Sequence, residues 1–292
     1  MLRRGIVVGL GACSIGMVTA ASGWARNLAT AQGSQDTPFS QKEYREFELL
    51  EKFPVNHNTS LFRFKLPERQ KLNLPVSSCV TVRIPSVSGD GKDVIRPYTP
   101  VSVSDQEGYF DLMIKVYENG KMSKHINMMN PGDKIEFMGP WPKWNYHARP
   151  SQLHRICMIA GGTGLTPMLQ IIREIVKNND RVIVDLIFAN VTEPDILLKD
   201  ELDSLAAQHY NIKIHYVVEK PSELWTASTG YVTKELISQT FGPPSDEFIV
   251  LVCGPPPMMK AISGDKVSPR EQGPVEGILK ELGFTEKHVY KF

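Results

Sequence analysis

Residues 94–104, VIRPYTPVSVS, place an arginine, a tyrosine and a threonine in an otherwise strand-like run. Pro97 and Pro100 have no N–H to give a neighbouring strand, so the run fits a sheet edge and not a sheet centre. Arg96 carries a guanidinium that matches a pyrophosphate, Tyr98 an aromatic face for a flat ring, and Thr99 a hydroxyl for that ring's polar edge. Residues 119–123, NGKMS, read as an Asn-Gly turn opening a short helix, and a helix N-terminus also suits a phosphate. The combination implies a flavin held on this part of the chain.

Residues 160–168, AGGTGLTPM, follow an apolar run and open a helical pattern. A loop there presents free backbone N–H groups to a phosphate, and its glycines let the backbone approach without a Cβ. Pro167 suits a first helical turn, where its missing N–H is not needed. The spacing Gly162-x-Gly164-x-x-Pro167 departs from GxGxxG, so a nucleotide loop and a tight structural turn both fit. Residues 253–259, CGPPPMM, end the last buried run, and ligands in open α/β sheets bind beyond the carboxyl ends of strands. Cys253 there reads either as a thiol beside a ligand or as a buried cysteine before a rigid helix start. No histidine stands nearby in sequence to make it a nucleophile. Asp195, in FANVTEPDILL, sits where a carboxylate receives a dinucleotide ribose, while Thr192-x-x-Asp195 also reads as a helix cap. The two roles are compatible. No arginine stands in that loop for a 2′-phosphate, which favours NADH over NADPH.

The elements that must position these residues change period along the chain. From about Phe47 to Gly139, LFRFKL alternates with Phe62, Phe64 and Leu66 on one face, CVTVRI and YFDLMIKVY follow, and DKIEFMG comes after Pro131-Gly132. Short alternating strands between Gly, Pro and Asn turns predict an antiparallel barrel or sandwich. After Pro150, buried runs alternate with helical patterns. RICMIA precedes a helix with Met168, Leu169, Ile172, Ile175 and Val176 on one face, and RVIVDLIFA precedes one through Leu198, Leu202, Leu205 and Ala206. IKIHYVV, the helix VTKELISQT and EFIVLVC complete the series. That order predicts a parallel sheet covered on both faces.

Composition sets the outer bounds. The length fits about two domains. A hydrophobic fraction of 41% with 22% charged residues is that of a packed globular protein, and a net charge of +1 argues against nucleic acid. The 4 cysteines, Cys13, Cys79, Cys157 and Cys253, show no CxxC or Cys/His spacing, so neither a disulfide nor a metal site is expected. After Arg3 and Arg4, residues 5–25 carry no charge, and the first acidic residue is Asp36. A cleaved secretory peptide has a shorter apolar core of about 7–15 residues, and a mitochondrial presequence is more clearly amphipathic. The run matches the ~20 residues needed to span a bilayer, so a single-pass anchor with mitochondrial targeting fits best. Residues 26–40 then form a flexible tether.

In this order and spacing, RPYTPVS, GKMSKHI, GGTGLTPM and CGPPPMM closely resemble the NADH-cytochrome b5 reductase family. ISGDK, VYKF and the N-terminal run are most similar to its fungal mitochondrial form. The likeness covers residues 42–292. It implies a two-domain chain: an antiparallel β-barrel FAD domain (41–147), then an α/β parallel-sheet NADH domain (148–292). Ahead of them stand an anchor (1–25) and a tether (26–40), at the mitochondrial outer membrane. The resemblance implies that FAD is held by Arg96, Pro97, Tyr98, Thr99, Lys115, Tyr117, Gly120, Lys121, Met122 and Ser123. It places Thr166 beside the cofactor, and Gly161, Gly162, Cys253, Gly254, Pro255 and Met258 around NADH. The implied activity is hydride transfer from NADH to FAD, then single electrons to cytochrome b5 or a similar acidic haem protein. Thr99 would tune the flavin by hydrogen bonding, and Cys253 would pack beside the nicotinamide without covalent chemistry. Lys121, Lys124 and Lys143 read either as docking residues for that partner or as solvated surface lysines.

One departure stands out. After LPV (residues 74–76) many members carry Gly-Gln-His, where this chain has Ser77, Ser78 and Cys79. A reductase component of an oxygenase or nitrate reductase shares both domains, but the chain has no iron–sulfur CxxxxCxxC or haem motif. A silent nucleotide-binding module would hold cofactor without turnover.

Overall fold

The computed structural model describes residues 37–86, 91–149 and 151–292, all within one compact unit, Gln35–Phe292. The expected anchor, Cys13 and most of the tether lie outside the described residues. Among the described residues no helix is long and apolar enough to cross a membrane.

The first half contains β1 (Arg45–Pro54), β2 (Thr59–Lys65), β3 (Ser78–Ile84), β4 (Val94–Tyr98), β5 (Tyr109–Lys115), α1 (Lys121–Met128) and β6 (Lys134–Pro142). The strands pair antiparallel in the order β4-β3-β6-β1-β2-β5. β4 is an edge, as its prolines require. Alternation sends Phe47, Phe64, Phe110 and Phe137 to one side. There Phe137 meets Phe47 at 5.4 Å, Phe64 at 5.0 Å and Phe110 at 5.2 Å, edge to face. Each fully buried ring of this kind contributes about 1.5–3 kcal/mol. At the far edge the chain turns back on itself, since Val101 N–H, just past β4, donates to Asp111 O of β5 at 2.9 Å.

The second half contains β7 (Arg155–Gly161), α2 (Leu165–Lys177), β8 (Ile183–Asn190), α3 (Lys199–Gln208), β9 (Ile212–Val218) and β10 (Ser228–Thr229). It continues with α4 (Lys234–Phe241), β11 (Phe248–Cys253), α5 (Pro256–Ser263), α6 (Gly277–Glu281) and β12 (Val289–Lys291). All its strands run parallel in the order β10-β9-β8-β7-β11-β12. One face buries Ile156, Met158 and Ala160 with Met168, Leu169 and Ile172 of α2. The other buries Cys157 and Ile159 with Ile237, Phe241 and Met259. Both faces are covered, which is why the strands read as unbroken apolar runs. Strand order reverses between β7 and β11, the place where doubly wound sheets bind ligands.

Polar side chains tie the two sheets together. Gln170 of α2 donates to Pro100 O (2.9 Å) and accepts from Ser78 N–H (3.2 Å). Arg173 forks onto Glu201 (2.7 and 2.8 Å) and also donates to Val101 O. Asn56, in the β1–β2 turn, donates to Pro194 O (3.1 Å).

Candidate functional site

A cleft of about 980 Å³ opens where β4 and the start of α1 face the carboxyl ends of β7 and β11. Arg96, Pro97, Tyr98 and Thr99 line it from the edge strand, with Lys115 at the end of β5. Arg96 is exposed, and its Nη1 donates to the neighbouring Ile95 carbonyl (2.7 Å). It makes no ion pair among the described residues, so its charge is open to a ligand. Tyr98 is half-buried, and burial pushes its phenol up to about 12, so it is a neutral ring at working pH.

The turn before α1 is wired by one hydroxyl. Ser123 Oγ accepts from Tyr117 N–H (3.2 Å) and donates to Gly120 O (3.3 Å). A Cβ on Gly120 would stand 2.3 Å from that Oγ, so only glycine lets the turn close this tightly. Gly120, Lys121, Met122, Ser123 and Tyr117 all line the cleft. Burial raises the Tyr117 phenol, while a hydrogen bond with Thr163 works the other way. Thr163 lies on the facing wall of the same cleft.

On the opposite side, a 3₁₀ turn (Gly162–Gly164) leads directly into α2 without a side-chain cap. Such a helix start leaves backbone N–H groups free for a ligand. A Cβ on Gly164 would lie 2.2 Å from Cys253 O, so glycine is what lets this turn press against the end of β11. Thr166, 7% exposed, donates from Oγ1 to Thr163 O (3.1 Å) and faces the cleft. Gly161, Cys253, Gly254 and Pro255 complete this wall. Burial pushes the Cys253 thiol up to about 12, so it stands protonated at neutral pH.

Three expected residues do not line the cleft. Met258 packs behind it, its sulfur filling the space that Cβ atoms on Gly161 and Gly254 would occupy, at 2.5 and 2.7 Å. Gly162 has φ +52° and open space around it. Asp195, 5% exposed, spends its Oδ2 on a cap, accepting from Thr192 N–H (3.0 Å) and Thr192 Oγ1 (2.7 Å). Its Oδ1 faces Lys115 (3.6 Å) and His57 (3.9 Å), both on the first sheet's side. Burial works to raise the Asp195 pKa, but the Thr192 bonds and Lys115 outweigh it and hold the carboxyl below its usual range. The cap reading describes what this carboxylate does here, with a cross-sheet ion pair added.

Other lining residues carry no role from sequence, although Lys266 ends ISGDK and Phe292 ends VYKF. Met113 and Ile114 come from β5, and Lys266, Val267, Ser268, Pro269 and Phe292 from the segments around β12. Burial, then Lys143, lowers the Lys266 ammonium to about 8. Cys79, at the Gly-Gln-His departure, is buried and lines the cleft, and burial raises its thiol. Of the three lysines weighed for docking, Lys121 and Lys143 line the cleft, and Lys124 is exposed on α1.

These residues fit a flavin dinucleotide on one wall and a nicotinamide dinucleotide on the other. A free guanidinium and a helix start face one end, and glycine-floored turns at the carboxyl ends of two strands face the other. Residues 46–146 match the oxidoreductase FAD-binding domain family, and residues 158–264 the oxidoreductase NAD-binding domain family. The chain is 47% identical over 260 residues to an NADH-cytochrome b5 reductase-like protein of Arabidopsis thaliana, covering 88% of this chain and 79% of that one. It is 42% identical over 291 residues to NADH-cytochrome b5 reductase 2 of Emericella nidulans, covering 98% and 89%. Among solved structures, the cytochrome b5 reductase domain of Ulva prolifera nitrate reductase superposes with a TM-score of 0.75 at 33% identity, over 88% of this chain and 100% of that one.

Proposed function

Because the chain belongs to the NADH-cytochrome b5 reductase family, we propose that it is an FAD-dependent oxidoreductase passing electrons from NADH to cytochrome b5 or a similar acidic haem protein. The observation that carries this reading is the 980 Å³ cleft, walled on one side by the FAD-family half and on the other by the NAD-family half. FAD, when bound, supplies the conversion of a hydride from NADH into single electrons.

The chain's own residues bind, orient and exclude water. Arg96 and the N–H groups opening α1 hold a pyrophosphate, by charge-assisted and helix-terminus hydrogen bonds. Tyr98 gives a neutral aromatic face, and Thr99 a hydroxyl at the polar edge. Thr166 and the turn of residues 162–164 present donors from the second sheet. The Cys253 thiol, held protonated, packs against the nicotinamide without forming a bond to it. Met113 and Ile114, both buried, keep water from the floor of the cleft. Lys121, Lys124 and Lys143 give the cleft rim a positive side for an acidic partner, which steers encounter more than it adds affinity.

The Val101–Asp111 bond supports reading the first sheet as a barrel. The uncharged run of residues 5–25 supports a membrane anchor, which resistance to alkaline carbonate extraction would test, and co-fractionation with outer-membrane markers would test placement at the mitochondrial outer membrane. For the activity, the purified protein should be yellow, bleach on anaerobic addition of NADH, and recolour on addition of oxidised cytochrome b5. A yellow protein that NADH does not bleach would reject the reading. Stopped-flow comparison of cytochrome b5 with an iron–sulfur acceptor tests the choice of partner.

A further inference from the structure

Lys291 is a lysine where the strand pattern calls for an apolar side chain. It ends β12, whose parallel pairing with β11 sets Lys291 beside Val252, and it is 1% exposed. Its ammonium meets carbonyls: Nζ donates to Pro274 O (2.8 Å), Asp265 O (2.9 Å) and Ser263 O (3.4 Å). An ammonium has three donors, and all three are used. No carboxylate lies within ion-pair range of it among the described residues. Burial lowers its pKa, and Glu276, Glu286 and Asp265 act in the opposite direction from farther away.

The backbone of the same residue is held as well. Gln272 Oε1 accepts from Lys291 N–H (2.6 Å), and Gln272 Nε2 donates to Lys291 O (3.0 Å). Lys266 Nζ donates to that same carbonyl (3.1 Å). All these partners lie in residues 263–274. This segment has no ladder of its own beyond one isolated bridge, Ser268 with Glu271, and it turns through Gly264 (φ +78°) and Gly273 (φ +70°). Its shape is set by the residue it wraps. Lys266, Val267, Ser268 and Pro269 of the segment, and Phe292 next to Lys291, line the cleft beside Cys253.

We propose that Lys291 is a positioning residue for the NADH half of the reaction: its ammonium gathers the carbonyls of residues 263–274, so that residues 266–269 and Phe292 form the wall against which NADH is held. The inference rests on the reductase reading above. The flavin contacts lie on the opposite wall, so the role of Lys291 separates from FAD retention.

The test uses the FAD-loaded enzyme and three variants, Lys291→Ala, Lys291→Met and Gln272→Leu. FAD per chain, KM for NADH and kcat are measured with ferricyanide as acceptor. Lys291→Ala should keep its FAD and lose about 10- to 100-fold in kcat/KM for NADH, mostly through KM, the scale of a misplaced binding wall. Ethylammonium or propylammonium should restore part of that loss, because a small ammonium fits the emptied carbonyl cage. Lys291→Met fills the cage with a thioether and should not respond to amines. Gln272→Leu leaves the ammonium in place and should raise KM several-fold, which keeps the proposal testable if the Lys291 variants do not fold. Unchanged kcat/KM in any variant that retains FAD overturns the proposal. A loss in Lys291→Ala that amines leave untouched overturns it too, since that is packing alone. If the unmodified enzyme holds FAD and NADH does not bleach it, the reductase reading fails instead.

Discussion

Replacing Arg96 with alanine should weaken FAD binding about 30-fold while leaving the fold intact. The guanidinium sits on an edge strand, exposed, with only the carbonyl of its own neighbour as a partner (2.7 Å). Nothing internal is unpaired when it is removed, so the whole effect falls on the ligand. A hydrogen bond to a charged group contributes about 1.5–3 kcal/mol, and a guanidinium fork makes two to a pyrophosphate. The side chain is solvated, so screening and its own ordering cost reduce the sum to about 2 kcal/mol. At ~1.4 kcal/mol per decade that is roughly 30-fold in Kd. Arg96→Lys keeps a point charge and loses the fork, so it should fall between the two. The assay is titration of flavin-stripped protein with FAD, followed by quenching of FAD fluorescence, at low and high salt. The gap between wild type and Arg96→Ala should narrow as salt rises, because an exposed charge is screened beyond ~10 Å at 0.1 M. Equal Kd values at low salt, or a gap that salt does not touch, would refute the reasoning.

Asp195 is committed to the Thr192 cap and to Lys115, so Asp195→Thr should leave the NADPH/NADH ratio of kcat/KM unmoved and lower Tm. Glu219, which follows β9, is half-exposed at the same end of the sheet, and Glu219→Thr should move that ratio towards NADPH. Cys253→Ser should keep FAD and slow its reduction by NADH roughly 10- to 150-fold in rapid mixing, a loss of ~1.4–3 kcal/mol. Cys253→Ala should keep a measurable rate and yield no trappable adduct. Raising pH through about 8 should remove the Lys266 charge from the cleft and weaken binding of anionic NADH, and Lys266→Gln should flatten that profile. Asp185 is buried, which works to raise its pKa, yet His215 beside it (3.5 Å) and a bond from Arg155 (2.7 Å) hold it below the usual carboxyl range. Its folded pKa is below the unfolded value. The stability it contributes is therefore present above the unfolded pKa, about 3.9, and is lost as pH falls through the folded one. Asp185→Asn should lower Tm at pH 7 and show a shallower acid limb.

Periodicity carried the elements. Phe62 and Phe64 lie on one face and are fully buried, and the apolar runs of the second half became the strands of a parallel sheet. Prolines at Pro97 and Pro100 placed β4 at an edge. β5 shows where a one-faced pattern stops being sufficient. Phe110, Leu112 and Ile114 alternate as expected, but Asp111 and Met113 are buried too. Asp111 is bonded to Arg63 (2.9 and 3.0 Å), and Met113 packs into the core of the second half. The second face of this strand is covered as well, and nothing local says so. The partners of Asp195 were hidden for the same reason, since Lys115 and His57 are distant in sequence. Residues 263–274 follow no period because their order comes from a lysine side chain reached through β12.

The cleft width is set by polar ties at both ends, with Val101, Met113 and Tyr146 of the first half also packed into the apolar core of the second. At one end Asn56 holds Pro194 and Lys115 faces Asp195. At the other, Gln170 holds Pro100 and Ser78, and Arg173 holds Val101. Hydride transfer needs reacting atoms about 3–3.5 Å apart, so both ends must keep the two halves in register. Hydrogen bonds to backbone carbonyls fix distance and direction while contributing only about 0.5–1.5 kcal/mol each. Such ties hold the halves closely enough for transfer, and losing one of them costs too little to unfold either sheet.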